Sequence, residues 1–249
     1  MSAPRFYCPE GLSPSTPLTL PEAVTRHAIK ALRLQVGAPL RLFNGQGGEY
    51  EAVITQITKS ETIASIGAWH DHEAESPCQI TLIQALQAAD KMDFTLQKAV
   101  ELGITAIQPV SSRRSVVRLS GEREQKRLQH WEGVVISACE QCGRNRIPSV
   151  APVFDLLDWL ALPISAGPWA KPLRLMLAPG AAQPLTQIPP PTGPIELLVG
   201  TEGGLDPAEI KAAQQNGFLP VTLGPRILRT ETAGLAALAA IQTLWGDFK

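Results

Sequence analysis

The chain has 249 residues, is 44% hydrophobic and carries a formal net charge of −1. That is enough apolar content for a real core, and a length nearer two modest domains than one large one. A uniformly basic nucleic-acid binder is excluded by the charge. No run of about 18 apolar residues occurs, and Met1 to Glu10 shows no basic segment followed by an apolar stretch, so the expectation is a cytoplasmic protein with no membrane span or secretory signal.

A short helix is predicted around Pro21 to Leu34. From Pro39 to Trp69 the residues alternate and are rich in Val, Ile and Thr, broken by Asn44-Gly45-Gln46-Gly47-Gly48, which reads as β-hairpins. These elements make a small, mostly β domain over residues 1–72, followed by a polar linker, His72 to Pro77, and a second domain over 78–249. In the second domain Ile80 to Leu86 is a short apolar strand. Asp90 to Leu102 places Met92, Leu96, Ala99 and Val100 on one helical face, with Asp90 available as a cap and Gly103 as a stop. Ala106 to Val110 is a second strand. A long helix from about Glu122 carries Leu128, Trp131, Val135, Ala138 and Cys142 at alternating spacings of three and four.

Charge is concentrated here. Residues 1–72 hold six basic and six acidic side chains, whereas 111–146 hold eight basic (Arg113, Arg114, Arg118, Arg123, Lys126, Arg127, Arg144, Arg146) against four acidic. A solvated helix face and a phosphate-binding surface both fit that cluster. The four cysteines, Cys8, Cys78, Cys139 and Cys142, are too few and scattered for a disulfide framework. Cys139-x-x-Cys142 lacks a second Cys/His pair at finger spacing, so no metal is expected.

Further strands are predicted at Leu173–Leu177, Ile195–Val199 and Phe218–Leu223. A punctuated helix lies between the last two, with Asp206 as cap, Pro207 at its first position, Glu209 in the first turn and Gly217 after its end. The Pro-rich stretches 152–172 and 184–194 read as surface connections. Strands separated by helices imply an α/β domain with a parallel sheet covered on both faces.

In such sheets ligands collect at loops beyond the carboxyl ends of strands. Val199-Gly200-Thr201-Glu202-Gly203-Gly204 leaves a strand with three glycines, which lets backbone approach a ligand closely; a tight structural turn explains it equally well. It lacks the Gly-Lys-Ser/Thr ending of a P-loop and the dinucleotide fingerprint. Leu223-Gly-Pro-Arg-Ile-Leu-Arg-Thr-Glu-Thr232 runs from the last strand into an alanine-rich helix, Ala233 to Trp245. Thr230 or Thr232 can cap that helix and Glu231 suits its positive end, but capping does not account for both Arg226 and Arg229. A third segment, Glu140 to Pro148, ends the long helix in a polar cluster.

At these residues the chain resembles the RsmE family of bacterial small-subunit ribosomal RNA methyltransferases, of the SPOUT class, over almost its whole length. The matching residues include Arg5-Phe6, His27, Leu32-Arg33, Lys91-Met-Asp, Gln97 to Ile104, Pro109 with Arg113, Arg114 and Ser115, and Glu140-Gln141 with Arg144. Gly200, Glu202-Gly-Gly204 and Leu223 to Ala233 complete the match. Thr201 departs from the proline usual in the family. The resemblance implies a PUA-like β-barrel followed by a trefoil-knotted parallel-sheet domain. It also implies a homodimer and methylation at N3 of a uridine of 16S rRNA, in the small ribosomal subunit or its precursor, with S-adenosyl-L-methionine as donor.

Carried onto this sequence, the resemblance implies a cofactor site of Leu177, Leu198, Val199, Gly200, Glu202, Gly203, Gly204, Leu223, Gly224, Ile227, Leu228 and Thr232. Arg229, Arg144, Glu140 and Glu202 are the catalytic candidates, and Arg5, Arg33, Arg113, Arg114, Arg118 and Arg226 the RNA-binding ones. Two other readings keep the residues but change the function: action on another RNA such as a tRNA, and a non-catalytic RNA-binding ribosome-assembly factor.

Overall fold

The computed structural model describes residues 3–59, 61–163 and 171–248. The chain forms two compact units, Met1–Glu75 with Cys139–Ile147, and Ser76–Ala138 with Pro148–Lys249.

In the first unit, β1 (Arg5–Tyr7), β2 (Pro17–Thr19), α1 (Glu22–Thr25), β3 (Pro39–Phe43), β4 (Glu49–Ile57) and β5 (Thr62–His70) follow in order. The single helix predicted over Pro21 to Leu34 is shorter than expected, and after α1 its backbone widens into a π-helical stretch, Arg26–Ala31. The strands make one mixed sheet in the order β1-β3-β4-β5-β2, with β1 parallel to β3 and the other pairs antiparallel. Alternation does the sorting: Ala52 and Ile54 point inward from β4, while Glu51, Val53 and Thr55 face solvent. The inward residues pack with Phe6, Leu20, Val24, Leu40, Leu42, Ala64 and Ile66. Gly48, in the β3–β4 turn, has φ +65° and lies so close to the Trp69 indole that any Cβ would collide with it.

The second unit continues with β6 (Ile80–Ala85), α2 (Ala89–Glu101), β7 (Ala106–Ser111), α3 (Glu122–Cys142), β8 (Ser149–Val150), β9 (Phe154–Asp155), α4 (Leu156–Ala161), β10 (Leu173–Leu177), β11 (Ile195–Val199), α5 (Pro207–Gln215), β12 (Leu219–Val221) and α6 (Thr230–Trp245). The last turn of α3, from Cys139, is counted with the first unit. All the pairings of the sheet are parallel, in the order β12-β10-β11-β6-β7-β8, with β9 also on β7. The expected parallel α/β sheet is therefore present. β6 and β11 lie in its middle and are buried almost throughout, as two-sided cover requires.

Two local expectations are corrected. Residues 152–172 are more than a surface connection: Asp155 accepts the Leu157 N–H at 2.9 Å and starts α4, whose Leu156 and Leu160 are buried beside Ile83, Met176 and Leu198. Part of that stretch, 164–170, lies outside the described residues. The start of α2 is not capped by Asp90, which stands inside the first turn; the cap position is Ala88 and has no side-chain hydrogen bond. By contrast α5 has the predicted cap in full, with Asp206 accepting the Ala208 N–H and Glu209 accepting the Asp206 N–H.

Parallel strands bring their carboxyl ends to one edge. The residues following β6, β10, β11 and β12 are therefore neighbours there, although Gln87 and Leu223 are far apart in sequence. The loop after β10 is drawn along this edge, since Thr222 donates to Gln183 O and Leu185 donates to Thr222 O.

Candidate active site

At this edge lies a cavity of about 550 Å³. Its apolar walls include Met176, Leu177, Val199, Leu205, Val221 and Leu228, and its polar rim carries Lys91, Arg114, Glu202, Arg226 and Arg229. Of the proposed cofactor residues, Leu177, Val199, Gly200, Glu202, Gly204, Leu223, Ile227 and Leu228 line it. Gly224 lines an adjoining cavity of about 250 Å³ that shares Pro179, Thr222, Arg226 and Ile227 with the first. Leu198, fully buried, belongs to the core behind the wall. Gly203 and Thr232 are outside the lining, although Gly203 offers its carbonyl to Arg114 at 2.7 Å.

The glycine loop is a tight turn and a ligand-facing wall together. Gly204 donates to Thr201 O at 2.9 Å and has φ +70°. A Cβ on Gly200 would lie 3.1 Å from the Leu205 side chain and 3.2 Å from the backbone of Gly204 and Leu205. The segment following β7 holds the loop through Arg114, which donates to Gly203 O, and holds the start of α5 just beyond it. Glu209, buried, accepts the Arg113 N–H at 2.7 Å, and the Arg113 guanidinium lies 3.3 Å from Asp206.

A second support centres on Thr230 and joins it to Gln84, Gln87 and Thr95. The Thr230 hydroxyl donates to Gly200 O at 2.5 Å and accepts from the amides of Gln87, at 3.0 Å, and Gln84, at 3.3 Å. Thr95 in turn donates to Gln87 Oε1. All four side chains are buried, so their hydrogen bonds carry the larger cost of an unmet polar group. Neither Thr230 nor Thr232, the two candidates for the cap, closes the helix: the cap position of α6 is Arg229 and it has no side-chain hydrogen bond. The signal available in the sequence was a pair of glutamines, Gln84 and Gln87, at the end of an otherwise apolar strand. Thr230→Val, which keeps the shape and removes the hydroxyl, is expected to destabilise the protein by about 2 kcal/mol. A urea titration reads this directly, and an unchanged midpoint would remove Thr230 from this role.

The remaining candidates divide by surroundings. Arg226 and Arg229 are exposed on the cavity rim, and neither guanidinium has a hydrogen-bond or ion-pair partner among the described residues. Glu202 faces Lys91, whose Nζ lies 3.1 Å from Oε1. Arg118 is folded onto its own loop, bonding Ser111, Ser112 and Arg113, and Arg33 is exposed with φ +55°.

Arg144 and Glu140 fall in the first unit, within its own polar cluster. Arg144 is 3% exposed and forms a two-nitrogen contact with Glu75, at 3.0 and 2.5 Å. Glu140 accepts the Tyr7 N–H at 3.0 Å, and burial raises its pKa against the lowering effect of that bond. Arg5 is held there too, by Glu49, by Asn145 at 2.7 Å and by the Arg144 carbonyl at 3.1 Å, and burial lowers its pKa. Cys139, beside them, is a buried thiol pushed up to about 12 by desolvation.

A family model described as an RNA methyltransferase domain matches residues 74–242, and one described as an RNA methyltransferase PUA domain matches 20–66. Among curated relatives, the ribosomal RNA small subunit methyltransferase E of Buchnera aphidicola is 34% identical, covering 98% of this chain and 97% of its own. That of Bacillus subtilis is 29% identical over 86% and 85%. Among solved structures, a ribosomal RNA small subunit methyltransferase E from Neisseria gonorrhoeae bound to S-adenosyl methionine is 47% identical with a TM-score of 0.93, covering 100% of both chains. A putative methyltransferase from Legionella pneumophila in complex with the same cofactor is 34% identical with a TM-score of 0.92, again over 100% of both.

Proposed function

Because the chain belongs to the RNA methyltransferase family whose relatives are named ribosomal RNA small subunit methyltransferase E, we propose that it transfers a methyl group from S-adenosyl-L-methionine to N3 of a uridine in 16S rRNA. The protein is a SPOUT-type methyltransferase with a PUA-like N-terminal domain. The observation that carries the proposal is the cavity at the carboxyl ends of β10, β11 and β12, with apolar walls and a cationic rim.

The residues present fit the cofactor. A volume of about 550 Å³ is that of a small-molecule site, and the backbone of Gly200 is packed so closely by Gly204 and Leu205 that a Cβ there would be tight. Leu177, Val199, Gly200, Gly204, Leu223, Ile227 and Leu228 would hold it. When bound, it supplies an electrophilic methyl group on a sulfonium.

This chain's residues supply the rest. N3 lies on the Watson–Crick edge of uracil, so the target base must be unpaired or turned out of its stack to reach the rim. The N3 proton must leave, and Glu202, on the rim, is the acceptor this reading assigns. Negative charge then develops on the uracil oxygens, and the unpartnered guanidinium of Arg229 is placed to stabilise it. Arg226, with Arg33, Arg113 and Arg114, would meet phosphates. Action in the cytoplasm on the small subunit or its precursor, by a homodimer, completes the reading; no helix among the described residues is long and apolar enough to cross a membrane.

Titration with S-adenosylmethionine, followed by transfer of a labelled methyl group to small-subunit rRNA and mapping of the modified base, tests the proposal. Saturable binding with label on uridine N3 is expected. Label on tRNA alone, or cofactor binding without transfer to any RNA, would overturn it.

A further inference from the structure

Four cations and one carboxylate line the main cavity, namely Lys91, Arg114, Arg226, Arg229 and Glu202. Their pairing is lopsided. Lys91, reaching over from α2, lies 3.1 Å from Glu202 and 3.8 Å from Glu231, so one ammonium serves two carboxylates. Arg226 and Arg229 meanwhile have no partner among the described residues.

Carboxylates pair with guanidinium in a two-pronged geometry that an ammonium cannot match. Glu231 stands two residues from Arg229 in the chain, and its side chain is only 17% exposed, with Oε2 buried and without a hydrogen bond. Without Lys91 that buried charge would lack its counter-ion and would have to find another. Besides Lys91, the cations lining the cavity are Arg114, which already donates to Gly203 O, and Arg226 and Arg229.

We propose that Lys91 is a positioning residue that occupies Glu202 and Glu231 and thereby keeps Arg226 and Arg229 available to the anionic substrate. The proposal rests on the reading of those arginines as RNA-facing. An arginine already paired with a carboxylate must give up that pair before it meets a phosphate, which lowers affinity without changing the surface's shape. Lys91 therefore acts on RNA binding through two carboxylates it does not share with the RNA.

Filter retention of a labelled small-subunit rRNA transcript tests this. Lys91→Met should raise the RNA Kd about tenfold and make its dependence on salt shallower by about 1 to 2 in the log–log slope, the loss of one or two phosphate contacts. Lys98→Met removes the same charge from the same helix, where among the described residues Lys98 pairs with Glu101, and should change Kd by less than about twofold, as should Glu231→Gln alone. Lys91→Arg should bind as the parent does. Adding Glu202→Gln and Glu231→Gln to Lys91→Met should recover most of the lost affinity, because both competing carboxylates are gone; a merely structural role for Lys91 would not be rescued this way.

Parental affinity in Lys91→Met, or a loss that Glu202→Gln and Glu231→Gln together fail to recover, overturns the proposal. If the Arg226→Gln/Arg229→Gln protein itself binds RNA as the parent does, the RNA-facing reading of those arginines falls, and the role of Lys91 with it. If that protein loses affinity while Lys91→Met does not, the Lys91 role alone falls.

Discussion

Arg229→Ala should slow methyl transfer to RNA by about 100- to 1,000-fold under single-turnover conditions, the scale of removing one preorganised donor from developing negative charge. The fold gives this arginine no reward. It sits at the cap position of α6, where a cation meets the positive end of the helix, and no described residue pairs with its guanidinium. Removing it should therefore leave stability unchanged or raise it by about 0.3–1 kcal/mol. Cofactor affinity should hold within a few-fold, since the neighbouring Leu228 and Thr230 and the glycine loop keep their own contacts. Such a split, a slow step with an intact and slightly steadier protein, separates a catalytic role from a packing role. A single-turnover rate equal to that of the parent would remove Arg229 from the mechanism.

Much of this site is legible in the sequence, for identifiable physical reasons. The glycine loop and the run from Leu223 to Thr232 stood out because charge and glycine are unusual at the ends of apolar strands, and both segments line the cavity. Five strands of the second unit announced themselves as apolar runs, whereas the two-residue β8 and β9 did not, and Asp206, Pro207 and Glu209 marked a helix start that the structure shows in full. Other features leave no local signature. The six-residue α4 is too short to display a period. Insertion of β11 between β6 and β10 is a property of topology, and a parallel strand carries nothing that names its neighbour. Thr230 looked like a cap because threonine before a helix usually is one. Its hydroxyl goes instead to a strand-end carbonyl thirty residues earlier in the chain. Family resemblance supplied the fold class that periodicity could not.

Arg144 shows how differently one residue type can be used within a chain, and its replacement should have the largest effect on stability. Arg144→Met is expected to cost about 3 kcal/mol, at the low end for breaking a buried ion pair because Glu75 keeps 18% of its side-chain surface in water. For a protein of this size that corresponds to a fall in Tm of roughly 6–12 °C. Methionine fills much of the same volume, so the loss comes mainly from the charge left behind on Glu75, which among the described residues would keep the Arg146 N–H at 3.2 Å. Replacing both partners, Arg144→Met with Glu75→Leu, should recover much of the loss, because no unpaired charge then remains buried. A thermal melt and a single-turnover assay on the same preparations distinguish the two roles assigned to this arginine. A structural Arg144 gives a low Tm with a near-parental rate below the transition, and the double variant restores the melt. A catalytic Arg144 gives a parental Tm with lost turnover that the second substitution cannot recover. The guanidinium is buried and held in two-nitrogen contact with a carboxylate of its own unit, which is the reason to expect the first outcome.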